Sequence, residues 1–284
     1  MTTSDVGAAS TGPQSIPDVA PAPVAESDAP AHPFTLAVDV GGTGLKASVL
    51  DANGAMVADR VKVPTPYPLT PDKLITTLKK LIAPLPTAAR ASVGFPGMVR
   101  DGIVRSLPPH LALVGGPGTE IDPHIVSLWD KFDLAGTLSR EFAIPTKAAN
   151  DADIQGAAVV TGVGLEMIIT LGTGFGTGLF HNGILLPHLE IAHQPFRKGE
   201  EYDEQLGEVT RKEIGEARWN KRVLKAIDNM RALTLFDHLY IGGGNSRRVV
   251  RHHLPDDVTV VDNTAGILGG IRLWVPLRPD APSP

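Results

Sequence analysis

Asn150, Asp151 and Asp153, in the run AANDADIQGAA, place an amide and two carboxylates at one strand-to-helix junction. An Asn or Asp there is an ordinary helix cap. One cap needs only one such side chain, so a carboxylate is left over. Asp151 follows the strand-like run IPTKAA and would emerge at a sheet edge, where a general base can take a proton from a hydroxyl. On this segment alone, capping is the simpler account.

Two glycine-rich turns offer a second kind of chemistry. Gly41-Gly42-Thr43-Gly44 follows the apolar run FTLAVDV, and a run from Gly172 to Gly178 follows EMIITL. Glycines let the backbone take positive φ and approach a ligand, and successive N–H groups in such turns make a concave anion site. Threonine adds a hydroxyl donor. Neither turn has the spacing of a P-loop, and the alternating glycines of 172–178 run into a strand, unlike a dinucleotide fingerprint. A lone turn of this kind is more often a bare hairpin, but a pair, one of them preceded by Asp39, points towards phosphate. Asp39 either caps its turn or holds Mg²⁺ through water against phosphate oxygens.

The elements that must carry these residues form a repeated pattern. FTLAVDV, LKASVL and AMVADRVKV, with Asp51-Ala52-Asn53-Gly54 between the last two, read as a three-stranded antiparallel meander, because Asn-Gly is a strong hairpin signal. A helix is expected over about 71–82, with Thr70 as N-cap and Pro71 at its first position. ASVGFPG reads as a further strand closing on a Pro-Gly turn. EMIITL, the second glycine turn, LF, Asn182-Gly183 and ILL then repeat the order strand, glycine turn, strand, Asn-Gly turn, strand. Two such halves facing one another would set both glycine turns against one cleft.

The 284 residues carry 26 Lys and Arg against 31 Asp and Glu, a net charge of −5, which argues against a nucleic-acid-coating protein. No cysteine is present, which removes disulfides, thiolate zinc sites and a cysteine nucleophile. No run approaches the roughly 18 apolar residues of a membrane helix, and no basic start precedes an apolar core. No membrane association is therefore expected, and a cytoplasmic location is. Residues 1–33, rich in Ala, Pro and Ser, and residues 276–284 read as flexible tails.

AVDVGGTGLKASVLD, VGFPGMV, ANDAD, ITLGTGFGTGLFHNGILLP and LYIGGGNSRR, in this order, resemble the ROK family of sugar kinases. Within it they are most similar to the polyphosphate glucokinases and polyphosphate/ATP glucomannokinases. The resemblance runs from about Phe34 to about Trp274. It implies an α/β protein of the actin-like ATPase (ribonuclease H-like) fold, two α/β domains around a central cleft. The expected division is a small domain over 34–148 plus 262–275 and a large one over 149–261, with NTAGILGG as a final helix packing back on the first. The implied activity is phosphoryl transfer from inorganic polyphosphate, ATP or both to the 6-hydroxyl of glucose or a related hexose such as mannose, assisted by Mg²⁺. By the same resemblance Asp151 is the general base, and Asn150, Glu190, His193 and Gly97 meet the sugar. Gly41, Gly42, Thr43, Lys46, Thr173, Gly174, Gly243 and Gly244 hold phosphate, and Asp39 holds the metal. Members of the family are commonly dimers, so a homodimer is expected.

The chain departs from the family's pattern around the sugar. The signature Glu-x-Gly-His stands here as Glu190-Ile191-Ala192-His193, and a positive φ at Ala192 would strain the turn by about 1 kcal/mol or more. The glutamate that follows the histidine by two residues in polyphosphate glucokinases is here Pro195, which offers no acceptor. Relaxed or altered sugar choice is one expectation. A non-catalytic or weakly active sugar- or phosphate-binding protein is the alternative reading. HLEIAH is not the HExxH pattern, so no zinc site is expected. Between Arg211 and Arg251, ten Lys and Arg stand against four acids, a local net of +6. Such a run is either a solvated helix face or a track for a polyanion.

Overall fold

The computed structural model describes residues 33–116, 118–261 and 268–274. Residues 1–32 and 276–284 of the expected tails, and Asn263–Ile267 of the expected final helix, lie outside the described residues.

The first half opens with strands β1 (Thr35–Val40), β2 (Gly44–Leu50) and β3 (Val61–Pro64), followed by helix α1 (Pro71–Ile82) and strand β4 (Arg90–Phe95). A hairpin of β5 (Met98–Arg100) and β6 (Ile103–Ser106), helices α2 (Pro123–Trp129) and α3 (Leu134–Phe142), and strand β7 (Thr146–Asn150) complete it. The five-stranded sheet has the order β3-β2-β1-β4-β7. β1 pairs antiparallel with β2 and parallel with β4, and β4 runs parallel to β7. The C-terminal ends of β1, β4 and β7 therefore share one edge, the edge at which open α/β sheets present ligands. β1 is almost wholly buried, as a continuous apolar run at a sheet centre must be.

Helix α1 forms where its residues direct it. The Thr70 hydroxyl accepts from Lys73 N at 3.3 Å, Pro71 opens the first turn, and Leu74, Leu78 and Leu81 bury one stripe against the sheet. Trp129 sits at the centre of this core. Its indole N–H donates to the Leu69 carbonyl at 2.9 Å, and its ring lies 4.9 Å from that of Phe95.

Helix α4 (Asp151–Ala157) leads into the second half. There, strands β8 (Leu165–Leu171), β9 (Phe175–His181) and β10 (Ile184–Leu185) make a second meander. The hairpin β11 (Pro195–Arg197) and β12 (Glu200–Glu201), helices α5 (Tyr202–Leu206), α6 (Glu208–Ile214) and α7 (Glu216–Thr234), and strands β13 (His238–Gly242) and β14 (Val258–Val260) follow. The second sheet has the order β10-β9-β8-β13-β14, with β8, β13 and β14 parallel. Each half is thus an antiparallel meander extended by two parallel strands. Trp219 repeats the role of Trp129: it is buried in the second core, and its N–H donates to the Leu206 carbonyl at 2.8 Å.

Two elements differ from expectation. The third strand of the first meander narrows to Val61–Pro64, and Met56 makes only a single bridge to Leu50. Met56 and Val57 are exposed, so no buried face holds that stretch in register. The basic helical run is broken at Gly215, whose φ of 80° no helix accommodates, giving α6 and α7.

Helix α4 packs against both sheets. Gly156 abuts Phe180 and Ile168 of the second, and the Asp151 end rests on Gly94 of the first. The 3₁₀ turn Gly269–Leu273 covers its other side. Gly269 lies against the Ile154 backbone, and Ser92 Oγ of β4 donates to the Gly270 carbonyl at 2.6 Å. This described part of the expected final helix does pack on the first sheet.

Candidate active site

Asp39 stands in register with Gly94 across the β1–β4 pair, and the Asp151 Cα lies over Gly94. The sheet edge therefore brings the two carboxylates together. Asn150 caps α4, its Oδ1 accepting from Ala152 N at 2.8 Å, while its Nδ2 donates to the Gly97 carbonyl at 3.1 Å. One side chain starts the helix and ties it to the turn after β4. The Asp151 Oδ1 also accepts from Ala152 N, at 2.9 Å, and its Oδ2 has no protein partner among the described residues. Burial raises the Asp151 carboxyl, the Asp39 charge adds to it, and the group is pushed up to about 7. A carboxylate with one free oxygen and an acidity near neutral suits a general base.

Asp153, two residues and about half a helical turn further on, points into the interior. His188 Nδ1 meets its carboxylate at 3.0 and 3.1 Å, and His188 Nε2 stands 3.7 Å from Glu190 Oε2. Both Asp153 and His188 are buried. Burial alone would lower His188, but the two carboxylates override it and push the imidazole up to about 10, so it is a cation at neutral pH. Glu190 follows the opposite logic: burial would raise it, and the His188 imidazolium holds it below the usual range. An Asp153–His188–Glu190 bridge therefore joins helix α4 to the segment of the Glu-x-x-His signature. The local sequence shows His188 only as a histidine flanking Glu190; its partner lies 35 residues away.

His193 is half-exposed, and its Nδ1 meets Glu201 Oε2 at 2.7 Å. Glu201 stands opposite Pro195 in the β11–β12 register. A carboxylate thus reaches His193 from across the hairpin, in register with Pro195. Ala192 lies in the turn Ile191–His193 and is not among the residues with positive φ, so the strain considered for it does not arise.

The glycine turns are shaped by neighbours the sequence did not reveal. Above the first turn, Thr65 Oγ1 donates to the Gly41 carbonyl at 2.5 Å and Tyr67 OH to the Gly42 carbonyl at 2.7 Å. His110 lies so close that a Cβ at Gly42 would meet its ring at 2.9 Å. Burial lowers the His110 imidazole against an opposing pull from Asp203. At the second turn, Asp203 of α5 accepts from Phe175 N at 2.8 Å, and a Cβ at Gly174 would collide with that carboxylate. The third run folds onto the second. Asn245 Nδ2 donates to the Gly172 carbonyl at 2.9 Å, and Gly243, at φ 85°, lies on the Leu171 backbone. Gly244 has open space where a Cβ would stand. Thr43 and Thr173 are exposed and present hydroxyls at the two turns.

Lys46 faces Asp39 rather than open solvent, Nζ to Oδ2 at 2.8 Å. This leaves Asp39 Oδ1 for another partner. A single carboxylate beside glycine turns of a shape that could take phosphate fits Mg²⁺, which keeps most of its water and takes one or two carboxylates. Among the described residues, no group of three or more His, Cys, Asp or Glu could hold a metal ion. Also among the described residues, no helix is long and apolar enough to cross a membrane.

Comparison with known proteins follows the same lines. The model of the ROK family matches residues 35–188. The polyphosphate glucokinase of Mycobacterium tuberculosis strain H37Rv is 29% identical over 251 residues, covering 82% of this chain and 88% of that protein. That of Mycobacterium leprae is 30% identical over 250 residues, covering 82% and 72%. The crystal structure of an inorganic polyphosphate/ATP-glucomannokinase from Arthrobacter sp. strain KM superposes with a TM-score of 0.70 at 25% identity, covering 85% of this chain and 98% of that one.

Proposed function

We propose, from the premise that this chain belongs to the ROK family and has its actin-like ATPase fold, that it is a sugar kinase. In this reading a phosphoryl group passes from inorganic polyphosphate or ATP to the 6-hydroxyl of glucose, with mannose as a second acceptor. The observation that carries it is Asp151: a carboxylate at the sheet edge with one oxygen free and an acidity near 7, facing Asp39 and backed by the Asp153–His188–Glu190 bridge.

Asp151 accepts the proton of the sugar hydroxyl as the hydroxyl oxygen attacks the terminal phosphorus, and the bridging P–O bond breaks to release the donor shortened by one phosphate, ADP or a shorter polyphosphate. Glu190 and His193 hold the sugar hydroxyls, with His193 oriented by Glu201. Asn150 and the Gly97 carbonyl fix the sugar side of the base helix. Backbone N–H groups of Gly42, Thr173 and Gly174 take the phosphate oxygens, while the Gly41 N–H is held by the Gly44 carbonyl at 3.1 Å and only shapes the turn, and Gly243 and Gly244 border the donor. Asp39 would hold Mg²⁺, with Lys46 beside it; when bound, the ion neutralises the charge of the donor's phosphates. Closure of the two halves over the hexose keeps water from the phosphoryl group.

The test is phosphorylation of glucose and of mannose with Mg²⁺, run with ATP and with long-chain polyphosphate, beside a control without sugar. Asp151→Asn is expected to lower kcat by about 10³-fold or more while hexose binding, read by calorimetry, survives. Undiminished turnover in that variant would remove Asp151 from the mechanism, and no transfer from either donor to either sugar would overturn the kinase reading.

A further inference from the structure

Helix α7 carries Arg218, Lys221, Arg222 and Lys225 at the i, i+3, i+4, i+7 spacing that gathers side chains on one stripe. The opposite stripe, from Trp219 to Met230, is buried in the second core, so the basic stripe cannot turn inward. Arg197 of β11 faces it. These five cations and Phe196 line a cavity of about 420 Å³.

No direct ion pair offsets its charge among the described residues. Of the basic residues from 211 to 251, Arg211, Lys212, Arg231 and Arg248 each reach a carboxylate. None of the five around the cavity does so among the described residues. Arg222 donates to the Gln205 carbonyl at 3.2 Å, and the one acid that acts on it, Glu200, is itself engaged by the Gln205 amide. Burial and the Arg197 charge both disfavour the Arg222 cation. Like charges at i, i+4 destabilise a helix, so this arrangement favours an anion that fills the space between them.

The cavity is coupled to the second glycine turn by a column of rings. Phe196 of its wall lies 4.6 Å from Tyr202, and Tyr202 lies 5.2 Å from Phe175, the residue after Gly174. Helix α5, which links the two places through Gln205 and Asp203, has five residues and is thus roughly 8 Å long. From this juxtaposition we infer that the cavity is a second phosphate site, holding the far part of a condensed phosphate chain whose near end lies at the glycine turns. That it serves the donor rests on the kinase reading above. Binding of a polyanion there does not.

The test compares wild-type protein, the surface variant Arg218→Gln/Lys221→Gln/Lys225→Gln and the control Lys212→Gln. Binding of long-chain polyphosphate, tripolyphosphate and inorganic phosphate is read by calorimetry at several salt concentrations, and KM for polyphosphate and ATP is measured alongside. The triple variant is expected to bind long-chain polyphosphate at least tenfold more weakly with a shallower salt dependence, and to raise KM for polyphosphate tenfold. KM for ATP and tripolyphosphate binding should stay within twofold, and the control should match wild type. Unchanged long-chain binding would overturn the site. Equal loss for tripolyphosphate with no change in any KM would overturn its link to the donor. If the wild-type protein transfers to no sugar yet loses polyphosphate binding in the triple variant, the kinase reading fails and the anion site stands.

Discussion

Asp151 holds a negative charge where burial and Asp39 oppose it, and this shows in both rate and stability. A base must be ionised to act, so kcat/KM for the hexose should fall about tenfold per pH unit below about 7. Stability runs the other way. Between the ordinary carboxylate value and about 7 the folded chain binds the proton more tightly than the unfolded one, so stability is highest in acid and declines as pH rises towards 7. Asp151→Asn should therefore be more stable than wild type at pH 8, by about 2 kcal/mol or roughly 5 °C in Tm, and an unchanged Tm would refute the buried charge. His188 has the same sign in a higher pH window. Its raised pKa contributes stability that is complete below its ordinary value near 6.5 and lost as pH rises through about 10. His188→Gln should be destabilised most at pH 6 and should approach wild type above pH 10. Its cation also favours the ionised base. The same variant should move the acid limb of the pH–rate profile upward, which a purely structural role would not do.

Elements set by local chemistry were legible before the fold was seen. Thr70 and Pro71 announce α1, the Asn-Gly turns announce both meanders, and Asn150 announces the start of α4. The β11–β12 hairpin has strands of three and two residues, too short for any alternation, so Glu201 opposite Pro195 was invisible. Asp203 and His110 escaped for another reason. Each serves a turn far away in the chain, and nothing in its own neighbourhood marks it. The dependence is testable at Gly174, where alanine would drive its methyl into Asp203. Gly174→Ala should displace α5 from the turn and raise the donor KM about tenfold or more. Hexose affinity, measured by calorimetry, should fall less than the donor KM rises, because Glu190 and His193 lie outside α5 and His193 reaches it through Glu201, the N-cap residue of that helix.

The sequence predicted two halves of one design, and both sheets show it: a meander, then two parallel strands. The closeness of the join was not legible. A seven-residue helix touches both sheets, and the turn Gly269–Leu273 closes over it. Ser92 fastens that turn, donating to the Gly270 carbonyl and accepting from the Trp274 indole at 3.0 Å. Ser92→Ala should cost about 1–3 kcal/mol, read by denaturant titration, because two polar partners lose their bond inside the protein.

That fastening also fixes an order in time. Gly270 is joined to the chain 178 residues after Ser92, which at about 5–20 residues per second is a delay of roughly 10–35 s on the ribosome. Through that interval β4 has been made while the turn that covers it has not. The half of the molecule translated first is the half completed last, so helix α4 gains its full support only when the emerging chain has doubled back to where it began.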